Sequence, residues 1–91
     1  MQTITLDITP YEEKISLHRY LKEQLDFPFY YGANLDALFD ELTSMTDTLF
    51  ITLRYPQNPQ GVMTEYLPPL LTVFRDAMRD NYNLAVVFEA V

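Results

Sequence analysis

Thr48-Leu49-Phe50-Ile51-Thr52-Leu53-Arg54 is the stretch on which the fold turns. It is a near-continuous apolar run without strict alternation, the pattern of a buried strand in a parallel sheet. Upstream of it, Asn34 is a good N-cap for a helix from Leu35 to about Ser44. Leu35, Leu38, Leu42 and Met45 recur there at steps of three or four and face inward. Downstream, a proline-bearing loop covers 55–66, and a helix over 68–80 turns Leu67, Leu70, Leu71, Phe74 and Met78 inward. Asn81 is expected to close that helix in a left-handed turn. Leu84-Ala85-Val86-Val87-Phe88 reads as the last strand.

Further out, residues 3–8 alternate, with Ile4, Leu6 and Ile8 on one face of a strand. Thr9, Pro10 and Glu12 form a capping-box pattern that predicts a helix start there, with Ser16 as a rival signal. The helix would carry a stripe of Tyr11, Ile15, His18, Leu21 and Leu25 and end at Asp26-Phe27-Pro28, since the residue before proline is pushed out of the helical region. Phe29-Tyr30-Tyr31-Gly32 is a loop in which Gly32 is expected to supply an awkward backbone angle. The order β-α-α-β-α-β predicts an α/β fold: a small three-stranded parallel sheet packed against helices, with right-handed crossovers.

The 91 residues suffice for one domain over 1–91 and leave no room for a second. With 48% hydrophobic residues the chain is too apolar for disorder despite a net charge of −7. Zero cysteines remove disulfides, iron–sulfur clusters and thiol chemistry. The longest uncharged stretch, 55–64, is far short of the roughly 18–20 residues of a membrane span. No basic-then-apolar leader opens the chain, which points to a cytoplasmic location. A pI near 4.3 argues against nucleic acid or an anionic membrane as direct partner. Two glycines build no phosphate loop or dinucleotide fingerprint, so no cofactor is expected.

The acid is unevenly placed. Residues 23–53 contain no Lys or Arg but six acids, Glu23, Asp26, Asp36, Asp40, Glu41 and Asp47. Asp36 and Asp40, four apart on one helical face, have no basic residue three or four positions away. Such a like-charge pair costs an isolated helix about 0.2–0.5 kcal/mol. Either a distant cation such as Arg75 or Arg79 neutralises the pair, or the helix accepts repulsion in order to meet a positive partner. A two-carboxylate hydrolase or a hard-metal site would need a cleft or convergent loop ligands that this pattern does not supply. His18, the lone histidine, falls on an apolar stripe and reads as a satisfied core residue rather than a catalyst. Tyr30 and Tyr31 read as interface anchors, because the surrounding charge would repel a phosphate backbone.

Tyr30 through Thr43, YYGANLDALFDELT, resembles the barstar family of intracellular ribonuclease inhibitors. The likeness extends through Leu17, His18, Leu21, Lys22, Glu23, Leu25 and Pro28, and recurs at Val73-Phe74-Arg75-Asp76-Ala77. It implies a non-enzymatic protein that is a monomer when free and plugs the active site of a basic, extracellular-type ribonuclease or ribonuclease toxin. On that resemblance Asp40 replaces a substrate phosphate and Asp36 pairs with a cation beside it. Tyr30, Gly32 and Asn34 form the contacting loop, Phe39 an aromatic anchor, Thr43 a polar contact and Asp76 a peripheral one. The chain departs from well-known members at Phe39 and Met45 (Trp there), Glu41 (Cys), Ser44 (Gly) and Asp76 (often Glu). A barstar-fold adaptor or toxin-immunity protein with a basic partner other than a ribonuclease is the alternative.

Overall fold

The computed structural model describes residues 2–91. Three strands, β1 (Gln2–Asp7), β2 (Leu49–Tyr55) and β3 (Leu84–Ala90), form a parallel sheet in the order β1-β2-β3. Three helices, α1 (Lys14–Gln24), α2 (Leu35–Thr43) and α3 (Met63–Asp80), complete the order β-α-α-β-α-β, as expected. Register puts Ile51 between Ile4 and Val86, and Leu53 between Leu6 and Phe88. This side of the sheet packs on Leu17 and Leu21 of α1, Leu38 and Leu42 of α2, and Leu67, Leu70 and Phe74 of α3 in one buried cluster.

The alternate residues form the other face. There β2 departs from the fully buried strand its apolar run suggests. Phe50 and Thr52 are only half-buried, beside exposed Thr3, Thr5 and Val87. The helices therefore cover one side of the sheet. On the open side Arg54 sits between Asp7, at 3.8 Å, and Glu89, at 3.2 Å, on the two flanking strands.

Helix boundaries differ from the sequence expectations in three places. Thr9 and Pro10 form a turn rather than a helix start: the Thr9 amide and hydroxyl donate to the Asp7 carboxylate at 3.0 and 2.6 Å, holding its pKa below the usual aspartate value. α1 begins only at Lys14, where the Ser16 hydroxyl donates to the Glu13 carbonyl. Its buried stripe is Leu17, His18 and Leu21, while Ile15 is 71% exposed. α1 ends with Asp26 in the left-handed region (φ 55°) and the Phe27 amide bonded to the Lys22 carbonyl. That reversal ends the helix ahead of Pro28.

α3 begins at Met63 and runs through Pro68 and Pro69. Both prolines are exposed, and the carbonyls they leave unbonded, on Thr64 and Glu65, belong to exposed residues that water can reach. The buried stripe Met63, Leu67, Leu70, Phe74 and Ala77 continues past them unbroken. Asn81 does not take a left-handed conformation (φ −133°, ψ 101°). Its side chain is buried instead, donating to the Leu42 and Met45 carbonyls at 3.0 Å each. It thereby joins the end of α3 to the end of α2.

Candidate functional site

The start of α2 is fixed by two local devices. The Asn34 carboxamide oxygen accepts from the Ala37 amide at 2.7 Å, while its nitrogen donates to the Gly32 carbonyl at 3.3 Å. A Cβ on Gly32 would lie 3.2 Å from the Ala37 Cβ, so glycine lets the loop lie close against the first turn. The awkward backbone angle expected at Gly32 is found instead at Ala33, which is left-handed with φ 53°. Thus anchored, α2 projects Asp36 from its first turn and Asp40 one turn later, both exposed. Phe39 is half-buried against the core. The Thr43 hydroxyl donates to the Phe39 carbonyl at 2.8 Å, keeping this side chain against its own helix.

No ion pair reaches Asp36 or Asp40 among the described residues. Arg75 and Arg79 both turn to Asp76, at 3.8 and 3.0 Å. Arg54 is held by Asp7 and Glu89. Lys14 lies 4.7 Å from the Tyr66 ring centre, and Lys22 donates to the Phe29 carbonyl. Neutralisation by Arg75 or Arg79 therefore does not occur, and the repulsion within α2 stands. Asp76, by contrast, is already partnered. To meet another protein it would exchange exposed ion pairs worth about 0–1 kcal/mol.

The loop before α2 is clamped from beneath. Phe27 is buried and its ring lies 4.8 Å from that of Tyr31. The Tyr31 hydroxyl meets His18 Nδ1 at 2.7 Å, and the Tyr66 hydroxyl meets Nε2 of the same ring at 2.6 Å. His18, 1% exposed, therefore ties together α1, the loop and α3. Burial, and secondarily Lys14, depress its pKa below the ordinary 6.5. Burial, with Tyr66 and Glu41 adding to it, raises that of the Tyr31 phenol. The sequence places His18 in the core, but its two phenol partners, 13 and 48 residues away, leave no local signal.

This clamp predicts a pH dependence. The unfolded chain takes up the His18 proton near pH 6.5 and the folded chain only lower, so stability is full above about 6.5 and is lost as pH falls towards the folded pKa. One proton contributes at most about 1.4 kcal/mol per pH unit. Asp7 acts only further down, because its depressed pKa matters below its ordinary 3.8. Thermal melts between pH 7.5 and 5 should fall for the wild type and stay flatter for His18→Gln. Parallel curves would remove His18 as the titrating group.

Tyr30, Gly32, Asn34, Asp36, Phe39, Asp40 and Thr43 all lie on this loop and helix, and Asp76 lies apart on α3, which packs against α2. No group of three or more His, Asp or Glu residues that could hold a metal occurs among the described residues. Among the described residues no helix is long and apolar enough to cross a membrane. Fold and site together define a small α/β protein presenting an acidic helix whose charges its own cations leave uncompensated. The chain matches the family described as Barstar (barnase inhibitor) over residues 1–91, and it belongs to that family. It is also 34% identical over 90 residues, 94% of this chain and 99% of the relative, to the Bacillus subtilis (strain 168) protein named "Putative ribonuclease inhibitor YrdF".

Proposed function

We propose that this protein inhibits a barnase-type ribonuclease by seating α2 and its preceding loop in the enzyme's cation-lined active site. The observation that carries this reading is the exposed, unpaired Asp36/Asp40 couple on a firmly capped helix. Asp40 stands in for a substrate phosphate and Asp36 meets a neighbouring cation. Tyr30, Gly32 and Asn34 lie along the rim, Phe39 and Thr43 support the helix contact, and Asp76 adds an outer one. Residues 1–91 act as a single domain, monomeric when free, in the cytoplasm. Its partner is a basic enzyme of the extracellular type, rather than nucleic acid or membrane, and no cofactor takes part.

The test is titration of barnase with the purified protein while RNA cleavage is followed. Activity should fall in proportion to added protein and vanish near one equivalent. Stopped-flow association should slow by about tenfold or more as salt rises from about 0.05 to 0.5 M, because opposite charges steer the encounter. A salt-insensitive on-rate would remove steering. Binding to a basic protein without any loss of ribonuclease activity would favour the adaptor or toxin-immunity reading.

A further inference from the structure

Phe29 is not among the residues that charge or spacing single out, yet it is the most exposed phenylalanine, 88% accessible to solvent. Its neighbour Tyr30 is 72% exposed, and the two rings stand at 84° with centres 5.5 Å apart. Isolated apolar residues on a surface need no explanation. This pair differs because the chain on either side of it is pinned. Phe27 is buried before it, and Tyr31 after it is held by His18 and by the hydrogen bond its backbone N–H donates to the Pro28 carbonyl at 3.0 Å. Lys22 fixes the Phe29 carbonyl itself at 3.3 Å. The loop therefore holds two rings outward that it had anchors enough to turn in. Three residues after Phe29, Gly32 packs the same loop against the first turn of α2, the turn that carries Asp36.

We infer that Phe29 is a specificity contact: with Tyr30 it forms an aromatic step that takes an apolar side chain on the rim of the ribonuclease, next to its cationic site. This rests on the inhibitor reading above. Charge opposite Asp36 and Asp40 would be common to any enzyme that binds RNA phosphates. An apolar rim residue would not, so Phe29 is where partners are told apart. A desolvated ring acts on the lifetime of the complex, whereas charges left on the rim of an interface act mainly on its formation.

The experiment measures binding of wild type, Phe29→Ala and Phe29→Leu to immobilised barnase, with thermal melts of each free protein. Wild type is measured first, and failure to bind would overturn the inhibitor reading and this contact with it. Given binding, Phe29→Ala should weaken Kd by about 10- to 100-fold, almost wholly through faster dissociation. The on-rate, its salt dependence and the free Tm should hardly change. Phe29→Leu should keep most of the affinity. An unchanged Kd for Phe29→Ala overturns the proposal while leaving the inhibitor reading intact. A leucine variant as weak as the alanine variant overturns the apolar partner, since only a group that needs a ring face would lose both.

Discussion

Asp40→Ala should weaken binding to the ribonuclease by about 2–5 kcal/mol, roughly 30-fold to several-thousand-fold, while leaving the free protein as stable as before or slightly more so. The loss follows from what remains in the complex: cations desolvated for a carboxylate that is no longer there. The range is the general one for truncating one partner of a buried charge pair, of which the barnase–barstar complex is itself a measured example. The stability half rests on this structure. Asp40 is exposed, has no ion-pair partner, and repels Asp36 one turn away. Removing that repulsion returns a few tenths of a kcal/mol.

Asp36 supplies the internal contrast. It lies in the first turn of α2, where the positive helix end favours a carboxylate by about 0.3–1 kcal/mol. Asp36→Ala therefore loses that term as it relieves the repulsion, and the free protein should be unchanged or slightly less stable. Calorimetry on the two variants, paired with inhibition titrations, separates the roles. If Asp40→Ala melted many degrees below wild type, Asp40 would be a structural residue and the assignment of the site would be wrong.

The parts of the molecule that were legible in the sequence are those decided by neighbours along the chain. The α2 cap is an example, because Asn34 and the Ala37 amide are three residues apart. The absence of a cation beside Asp36 and Asp40 is also a local fact, and the structure extends it by sending Arg75 and Arg79 elsewhere. Misreadings arose where a local signal met a tertiary one. The helix expected from residue 68 begins at Met63 instead, because burial of Met63 and Leu67 holds the chain helical ahead of Pro68 and Pro69. Thr9-Pro10 reads as a helix start, but Asp7 on β1 claims the Thr9 amide first. Gly32 reads as the source of an awkward backbone angle, whereas what it provides is closeness to Ala37. Phe29 carries no signal at all until the loop's two anchors show which way it must face.

Asn81 is the residue whose role the sequence concealed most completely, and its removal should have the largest effect on the free protein. Its Nδ2 donates to the carbonyls of Leu42 and Met45, and its Oδ1 accepts from the Asn83 amide, all at 3.0 Å. Leu42 is one of the last residues of α2, whose carbonyls have no partner within the helix. One carboxamide, 7% exposed, thus satisfies three backbone groups from two segments 36–39 residues apart. Asn81→Ala would leave them unpaired, at about 1–3 kcal/mol for each that water cannot reach. With partial rehydration we expect a loss of about 2–4 kcal/mol, a Tm drop on the order of 10–30 °C for a chain of this size. Asn81→Asp separates hydrogen bonding from shape, because the carboxylate fills the same space but aims negative charge at two carbonyl oxygens. It should be at least as damaging at pH 7. The introduced group's pKa should be raised by burial and by those carbonyls, so the variant regains stability as pH falls and protonation restores one donor. That trend runs opposite to the wild-type dependence set by His18. A melt of Asn81→Ala within about 2 °C of wild type would mean that the α2 terminus is held by packing alone.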